Sequence, residues 1–406
     1  MDVTDIKSQN IKRILNVLRT SGGTTKNEIS AITGLSFSTV SNLCNELKYN
    51  NVLVEEKISS STVGRTPCIQ IFNCAGFASV CIDFQEEGIL NYSISNLAGE
   101  SLYRTYFDIS KIQDISTLIK MIDTTCNNIL QQFSDIQIVG VGISVPGIYD
   151  EVTRLVINSA IPILNNVSLK ELLTRALRLP CYIENESNLC ALSIQKEYPE
   201  VNNIVYLHSS TGLGVGIICE GVLLRGKNGY AAEVAHIPLG TPDAVCSYCG
   251  NKGCIENDLA QRGMEILRSS DLSGPDRISL IRDRAEKLGI LLSLLTNLFD
   301  PDILCIGGIG FDSYPELEPI VLHILEQRST LNIKKGLKLI HDTDSLQAIE
   351  QGITQVIYNN WDPLKNAFQL KTSKNCILAL NHEWPLAELK MKMFIQVLLN
   401  FAESRI

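Results

Sequence analysis

Four potential metal ligands between His236 and Cys254 constrain the fold of this chain more than any other sequence feature. A histidine is followed by three cysteines, with two residues between Cys246 and Cys249 and four between Cys249 and Cys254. One imidazole and three thiolates can close a tetrahedral zinc site, and four protein ligands leave no open position for water. The pattern therefore predicts a structural zinc held by His236, Cys246, Cys249 and Cys254. The alternative is a set of buried thiols that bind no metal.

The composition predicts a folded, soluble, cytoplasmic protein. The 406 residues suffice for two or three domains, and 45% of them are hydrophobic. No segment resembles a signal peptide, and the apolar runs are too short to span a bilayer, so we expect no membrane insertion. Thirteen cysteines, an odd number, argue against a disulfide framework.

The net charge of −9 is unevenly distributed along the chain. Residues 1–70 carry eight Lys and Arg against six Asp and Glu, a net charge of +2, which leaves −11 for the remainder. This asymmetry is typical of a small DNA-binding head on an acidic body.

The first 73 residues carry the signals of three short helices. Apolar residues recur at helical spacing over residues 11–18 and predict the first helix. Thr25 and Glu28 have the spacing of a capping box, which predicts a second helix that ends at Gly34. Ser36 is a plausible N-cap for a third helix. Two helices joined by a tight turn and followed by a β-ribbon over residues 52–71 predict a winged helix-turn-helix.

The third helix would enter the major groove of DNA. With Val40, Leu43 and Leu47 facing inward, short polar side chains near its start can approach base edges. In the wing, a guanidinium between Gly and Pro residues can lie in a narrow A·T-rich minor groove. The candidate DNA contacts are Lys26, Ser36, Phe37, Ser38, Thr39, Ser41, Asn42, Asn45 and Arg65. The alternative is a three-helix protein-interaction module.

The body carries two similar sets of predicted strands. Residues 78–84 and 89–96 predict one strand pair, and residues 204–208, 216–220 and 222–224 repeat the arrangement. We therefore predict two related α/β lobes, over about 74–180 and 181–368, with a ligand cleft between them.

Three further motifs accompany the metal-ligand pattern. Residues 140–147 read GVGISVPG, a strand that enters a Gly/Pro turn, and residues 183–188 read IENESN. Residues 211–216 read TGLGVG, in which glycines allow backbone N–H groups to approach an anion. Together with residues 233–256, these motifs resemble the ROK family, named for repressors, open reading frames and kinases, and in particular its repressors that respond to N-acetylglucosamine, glucose or xylose. The resemblance covers about residues 8–368.

The resemblance implies an N-terminal winged helix-turn-helix followed by a two-lobed, actin-like sugar-kinase fold of the α/β class. It also implies a hexose held by Asn185, Glu186, Glu233, His236 and Glu256. Glu233 and Glu256 could instead serve only to support the zinc loop. The family has one residue between the first two cysteines, whereas this chain has two, so the resemblance supports Cys246 as a ligand less directly than the other three.

Two departures from the family pattern argue against kinase activity. The first phosphate loop of active members reads Asp-x-Gly-Gly-Thr-Lys, whereas this chain places Glu86 and Glu87 where phosphate would bind. Glu186 replaces the catalytic Asp, and a displacement of the base by about 1 Å can cost on the order of 10²-fold in rate. We therefore predict a protein that is not an enzyme. A vestigial nucleotide site would involve Thr211, Gly212, Gly214, Gly307 and Gly308.

The sequence thus predicts a sugar-responsive transcription regulator, a repressor of carbohydrate uptake or catabolism genes. A hexose or hexose derivative in the cleft would alter operator affinity. Family members form symmetric dimers, so we expect a homodimer or a dimer of dimers on operator DNA with inverted half-sites. The alternatives are an ATP-dependent hexose kinase with a fused DNA-binding head and a regulator controlled mainly by a protein partner.

Residues 369–406 lie beyond the resemblance. After Pro385, apolar residues at helical spacing from Leu386 to Phe401 predict an amphipathic helix. We expect this C-terminal helical tail to pack on the body or across a dimer rather than on a membrane or another partner.

Overall fold

A computed structural model describes residues 3–57, 68–84, 88–269, 273–308, 314–329 and 336–364. Three predicted features lie outside these ranges: Arg65 in the wing, the Glu86 and Glu87 pair, and the amphipathic helix of residues 369–406. Within the described ranges, no helix combines the length and the apolar character needed to cross a bilayer.

The N-terminal head contains three helices and a small antiparallel sheet. Its elements are α1 (Val3–Ser21), β1 (Thr24–Thr25), α2 (Lys26–Thr33), α3 (Phe37–Tyr49), β2 (Leu53–Lys57) and β3 (Cys68–Phe72). The strand order is β1-β3-β2, and β2 pairs with β3 as the ribbon of the predicted wing. The predicted order of helix, helix, recognition helix and ribbon is confirmed.

Local capping fixes where α2 and α3 begin. The Thr25 side chain accepts the backbone N–H of Glu28, and the Glu28 carboxylate accepts the backbone N–H of Thr25, which completes the predicted capping box. Gly34 adopts a left-handed φ of 68° and ends α2. The Ser36 hydroxyl accepts the backbone N–H of Thr39 and begins α3. The helix-turn-helix geometry is therefore encoded locally.

The first sheet of the body mixes parallel and antiparallel strands. The elements of this part are β4 (Phe77–Asp83), β5 (Ile89–Asn96), β6 (Ser101–Asp108), α4 (Ile115–Leu130), β7 (Gln137–Val145), β8 (Ile148–Asp150), β9 (Leu155–Ile157), α5 (Leu169–Leu177) and β10 (Cys181–Asn185). The strand order is β10-β7-β4-β5-β6, in which β4, β7 and β10 are parallel. All seven residues of β4 are buried, as expected for a strand covered on both faces.

The second sheet repeats the topology of the first. The remaining elements are α6 (Glu186–Glu197), β11 (Ile204–Ser209), β12 (Leu213–Cys219), β13 (Val222–Leu223), α7 (Glu256–Leu259), α8 (Gln261–Glu265), α9 (Gly274–Phe299), β14 (Ile303–Gly308), α10 (Glu318–Arg328), β15 (Lys338–Asp342) and α11 (Ser345–Asn360). The order β13-β12-β11-β14-β15 again combines an antiparallel meander with three parallel strands. The predicted internal repeat is confirmed. The strand predicted at 216–220 corresponds to β12, which runs from Leu213 to Cys219. It ends there because Glu220 and Gly221 adopt positive φ values of 51° and 76° in the turn that follows.

Helices α6 and α11 lie between the two sheets. Helix α11 packs on β4 and β7 of the first sheet, α6 packs on β11 and β12 of the second, and the two helices pack on each other. The outer faces of the sheets are covered by α4 and α5 on one side and by α9 and α10 on the other. Strand β10 belongs to the first sheet and α11 packs on it, although both follow residue 180 in the sequence. The lobe boundaries stay a prediction.

Candidate functional site

The outer face of α3 carries the polar side chains predicted to contact DNA. Ser38, Asn42 and Asn45 are exposed and lie at helical spacing on one face, and Phe37 beside them is 51% exposed. Ser36 is exposed, but its hydroxyl also caps the helix and bonds the hydroxyls of Ser38 and Thr39. The half-buried members of the predicted set are Lys26, Thr39 and Ser41.

Lys26 and Asn45 form a hydrogen bond across the helix-turn-helix. The Lys26 Nζ donates to Asn45 Oδ1 at 2.9 Å. An ammonium group can only donate, so the contact requires the oxygen of the amide and leaves the Asn45 NH₂ group available for a base or phosphate acceptor. Of the nine predicted DNA contacts, eight lie on described residues of the head, and Arg65 lies outside the described residues.

A cleft of about 330 Å³ lies between the two sheets at the start of α6. It is bounded by the turn after β7, the β10–α6 junction, the β11–β12 hairpin and the segment from Arg225 to His236. All five predicted sugar contacts line it, as do three of the five predicted nucleotide-site residues: Asn185, Glu186, Glu233, His236 and Glu256, with Thr211, Gly212 and Gly214.

Asn185 joins three elements at the floor of the cleft. Its Oδ1 accepts the backbone N–H of Ser187 at 2.9 Å and so caps α6, while its Nδ2 donates to the carbonyl of Gly147 at 3.0 Å. Gly147 has a φ of +158°, and an added Cβ would lie 2.8 Å from the Cα of Ser159. The close turn after β7 therefore requires glycine and is tied to the N-cap residue of α6.

Glu186 is buried beside a second carboxyl group and a histidine. Its Oε2 lies 4.0 Å from His208 Nε2, and its Oε1 accepts a hydrogen bond from the Ser210 hydroxyl at 3.4 Å. Burial, with a contribution from the Asp83 carboxylate, raises the pKa of Glu186 to about 8. Burial lowers the pKa of His208 to about 4. At neutral pH the pair is therefore a protonated carboxyl beside a neutral imidazole.

Glu233 and Glu256 line the opposite wall of the cleft. Burial, together with the charge of Glu256, raises the pKa of Glu233 to about 7. Burial also raises the pKa of Glu256, whose Oε2 lies 3.7 Å from His236 Nδ1. Carboxyl groups at both walls can accept or donate hydrogen bonds to a ring of hydroxyls.

Several cleft residues escaped the sequence analysis. Glu184 accepts from Arg225 at 2.7 Å and from Asn188 Nδ2 at 2.9 Å, and all three line the cleft. Tyr230 also lines the cleft and donates its hydroxyl proton to Asp150 at 3.0 Å. Glu184 and Asn188 lie within the IENESN motif, which could have identified them, whereas the Glu184–Arg225 pair joins positions 41 residues apart.

The four predicted metal ligands converge in one cluster. One ligand atom from each of His236, Cys246, Cys249 and Cys254 lies within 4.8 Å of all the others. The Cys249 and Cys254 sulfurs are 3.5 Å apart, and Cys246 Sγ lies 3.7 Å from His236 Nδ1. A tetrahedral zinc with bonds of about 2.3 Å needs ligand separations of roughly 3.8 Å, so the donors fit this ion. The extra residue before Cys249 does not keep Cys246 out of the cluster.

A buried acidic residue anchors the loop that carries these ligands. Asp258 accepts the backbone N–H of Thr241 at 2.6 Å and binds both Arg284 and Lys287 of α9 at 2.8 Å. Because Asp258 follows Glu256 by two residues, the ligand loop and the wall of the cleft share one support on α9.

Gly307 and Gly308 have structural reasons to be glycine. They end β14 and do not line the described cleft. An added Cβ would lie 1.9 Å from the Tyr206 hydroxyl at Gly307 and 1.9 Å from the Ser209 carbonyl at Gly308, where φ is +81°. A role for them in a vestigial nucleotide site stays a prediction.

Family models match both parts of the chain. A model described as the ROK family matches residues 81–321, and one described as winged helix-turn-helix DNA-binding matches residues 7–53. The first spans 59% of the sequence, including the cleft and the metal-ligand cluster.

The most similar relatives include proteins named as repressors. A xylose repressor of Caldicellulosiruptor bescii is 30% identical over 315 residues, which cover 70% of this chain and 78% of that protein. The xylose repressor of Bacillus subtilis is 28% identical, covering 89% of this chain and 98% of the relative. Sugar kinases also match: an N-acetyl-D-glucosamine kinase of Vibrio cholerae is 28% identical over 56% of this chain and 82% of the kinase.

A solved structure shares the fold over nearly the whole described chain. It is a ROK family transcriptional regulator described as a homologue of the Escherichia coli MLC protein, with a TM-score of 0.75. The match covers 88% of this chain and 98% of that chain at 21% sequence identity. The winged helix-turn-helix joined to a sugar-kinase-like body is thus the architecture of this protein.

Proposed function

This chain belongs to the ROK family, and we propose that it is a sugar-responsive, DNA-binding transcriptional repressor. The observation that carries the proposal is the presence, in one chain, of a helix-turn-helix with an exposed polar face and of a cleft lined by carboxyl, amide and imidazole groups that can hydrogen-bond hydroxyls. A relative that covers 89% of this chain, and therefore both parts, is named a xylose repressor. A DNA-binding head without a sugar cleft, or the reverse, would not support this function.

The charge of the cleft favours an unphosphorylated sugar. Five glutamates line the cleft, against Arg225 and His236, and the Arg225 guanidinium is already paired with Glu184. A sugar phosphate would bring its negative charge among these carboxyl groups, and the described residues that line the cleft include no unpaired guanidinium and no lysine to bind it. The names of the relatives make D-xylose the first sugar to test.

Glu186 supports a sensor rather than a kinase. Glu186 stands where active kinases have Asp, and a displacement of the base by about 1 Å through the additional methylene can cost on the order of 10²-fold in rate. A protonated Glu186 can donate its own hydrogen bond to a sugar oxygen. The sequence of the first phosphate loop, which lacks the glycines and carries Glu86 and Glu87 in the region where phosphate would bind, leads to the same conclusion.

We assign a structural zinc ion to His236, Cys246, Cys249 and Cys254. When bound, the ion supplies a fixed crosslink, and the chemistry of the donor set matches its preference for thiolate and imidazole. His236 and Glu256 also line the cleft, so a rigid ligand loop would hold the sugar-binding wall in place.

The DNA partner would be an operator with inverted half-sites, bound by a homodimer or a dimer of dimers. The exposed face of α3 would enter the major groove, with the side chains of Ser38, Asn42 and Asn45 nearest the bases. A symmetric dimer places two such helices about 34 Å apart, or a multiple of this distance, on one face of the duplex.

Isothermal titration calorimetry tests the ligand side of the proposal. We would titrate D-xylose, D-glucose, N-acetyl-D-glucosamine and the corresponding sugar phosphates into the full chain, with and without Mg-ATP. We expect one neutral sugar to bind in the absence of ATP, and Glu233→Gln to weaken it at least about tenfold, since removal of one partner of a buried hydrogen bond costs about 1–3 kcal/mol. The exposed Glu326→Gln is the matched control. Tighter binding of a sugar phosphate, or sugar-dependent ATP hydrolysis, would contradict the proposal.

A further inference from the structure

Helix α11 contacts the DNA-binding head and the helix that begins at the sugar cleft. It lies between the sheets and packs along α6, whose first residues line the cleft. Its last two turns lie against α1 of the head. One buried cluster of apolar side chains includes the head, α6 and α11, so the head is packed onto the body rather than held by a loose linker.

The contact between α6 and α11 is a close backbone approach. A Cβ added at Gly352 would lie 2.1 Å from the carbonyl oxygen of Leu189 and 2.6 Å from its carbonyl carbon. One turn along, the Ser193 hydroxyl donates to Gln351 Oε1 at 3.1 Å. With no side chain between the helices, a shift of α6 cannot be absorbed there by rotamer changes and must move α11.

The C-terminal turns of α11 contact α1 through polar and aromatic side chains. Arg19 donates to Gln355 Oε1 at 2.8 Å, and its guanidinium lies 4.2 Å from the centre of the Tyr358 ring. The Tyr358 hydroxyl donates to Asn16 Oδ1 at 3.0 Å. Tyr358 is 4% exposed, so this contact is buried and geometrically defined.

The residue after α11 holds the segment that joins head and body. The Trp361 ring is stacked 6.2 Å from Phe72 at the end of β3 and lies 4.9 Å from Phe77 at the start of β4. Only four residues separate these two phenylalanines in the sequence. A displacement of the end of α11 therefore acts on both sides of the connection between wing and body.

The other end of α6 lies near the same contact. Lys196, in its last turn, donates to the carbonyl of Ala98 at 2.8 Å. Burial lowers the pKa of Lys196, and the positive charge of Arg19 lowers it further. Arg19 therefore contacts the end of α11 and acts electrostatically on the end of α6.

We propose that sugar binding controls the position of the DNA-binding head through the α6–α11 pair, with Arg19 and Tyr358 as the positioning residues that carry the shift to α1. The proposal rests on the sugar-responsive function proposed above and specifies its route. A sugar bound at Asn185 and Glu186 acts on the first turn of α6, the close contact at Gly352 passes the displacement to α11, and the Arg19–Tyr358 contact passes it to the head. The sugar shifts operator affinity only because it binds the protein more tightly in one position of the head than in the other.

The test compares operator affinity with and without sugar in a double variant. Arg19→Met with Tyr358→Phe removes the two polar contacts with Gln355 and Asn16 and keeps the packing. Lys7→Met is the matched control, because it also removes one cation of α1 but breaks only the Lys7–Glu46 pair inside the head. Operator affinity is measured by fluorescence anisotropy on a DNA duplex selected from a random library, with and without saturating D-xylose or whichever neutral sugar binds.

We expect the double variant to bind the sugar and the sugar-free operator within about threefold of wild type, while the sugar-induced change in operator affinity falls at least fivefold. Lys7→Met should retain the full change. If the double variant retains it as well, the route is wrong although the function stands. If wild type shows no change with any bound sugar, the proposed function itself fails and the route with it.

Hydrogen exchange measures a sugar-induced change that would not depend on Tyr358 if this residue only stabilised the fold. In wild type, sugar should alter the exchange of amides in residues 355–361 and in α1, and the single variant Tyr358→Phe, which loses only one hydroxyl, should reduce that change in α1. An exchange response confined to the cleft would overturn the proposal even if the double variant were too unstable to assay.

Discussion

At the residue scale, environment decides what each carboxyl group of the cleft can do. Glu186 lies beside Asp83 and a neutral His208 and is held protonated, whereas Glu184 is paired with Arg225. The same residue type therefore supplies a donor at one position and an ion-pair acceptor at the other. This division explains how an acidic cleft can bind a neutral, hydroxyl-rich ligand.

The buried Glu186 should make folding stability depend on pH. Its folded pKa of about 8 lies above its ordinary value of 4.5, so between these values the folded state holds a proton that the unfolded state has lost. The stability contribution of the protonated group is complete below pH 4.5 and is lost as the pH rises to about 8. We expect Glu186→Gln to raise the melting temperature relative to wild type by a few °C more at pH 8.5 than at pH 5.

Thermal unfolding of both proteins across this pH range measures the effect, with the exposed Glu316→Gln as control. If the difference in melting temperature between wild type and Glu186→Gln is the same at every pH, Glu186 is ionised in the folded protein.

Residues that act on near neighbours in the sequence could be predicted, and residues that meet across the fold could not. Thr25 and Glu28 form their capping box from local spacing alone, and the three cysteines of the metal-ligand cluster lie within nine consecutive residues. His208 reaches Glu186, and Arg225 reaches Glu184, only because separate strands converge on the cleft. Composition and periodicity contain no information on such pairs.

At the scale of elements, two local sets of contacts stabilise the shape of the cleft. The metal-ligand loop is tied to α9 through Asp258, and α6 is capped by Asn185 at the point where it meets the turn after β7. The sequence predicted the ligand loop and the paired strands at the start of each lobe, although it placed the strand of residues 213–219 at 216–220. It could not predict that α11 returns to lie on β4 and β7 of the first sheet, because about 200 residues separate α11 from β7 in the sequence.

Removal of one thiolate should remove the metal. We expect one zinc ion per chain by native mass spectrometry, none in Cys254→Ser, and a melting temperature lowered by at least about 5 °C, because metal-binding free energy contributes directly to folding. Cys219→Ser, at an exposed cysteine outside the cluster, should keep the ion. A wild-type chain without metal, or a metal-loaded Cys254→Ser, would refute the assignment.

Addition of a methyl group between α6 and α11 should be costly. Gly352→Ala places a Cβ against the Leu189 backbone, and overpacking of this kind costs about 1–3 kcal/mol or more. Gly274→Ala, in α9, meets no atom within 4 Å and should leave the stability unchanged or slightly higher. Denaturant unfolding of the two variants compares the costs, and equal stabilities would show that the two helices separate easily.

At the scale of the whole molecule, the repeated sheet topology creates the cleft and the paired inner helices connect it to the head. A DNA-binding head packed into a common core with α6 and α11 cannot reorient independently of them. Sugar response and DNA binding are then two outcomes of one conformational equilibrium. The family resemblance predicted both functions from the sequence, but the physical connection between them emerged only from the packing.

A symmetric assembly predicts the form of the operator. Sequences selected from a random duplex library should contain inverted half-sites whose centres are about one helical turn, or a multiple of it, apart. Asn42→Ala, on the exposed face of α3, should weaken the selected sites by roughly 1–3 kcal/mol if this side chain reads a base. Selection of single, asymmetric sites would contradict the symmetric arrangement.

The measurement that tests the central claim most directly is the affinity of the full chain for its selected operator in the presence and absence of each neutral sugar that binds it. The account predicts that one such sugar, without ATP, weakens operator binding at least about tenfold, which corresponds to a coupling of about 1.4 kcal/mol. An operator affinity that every bound sugar leaves unchanged would contradict it.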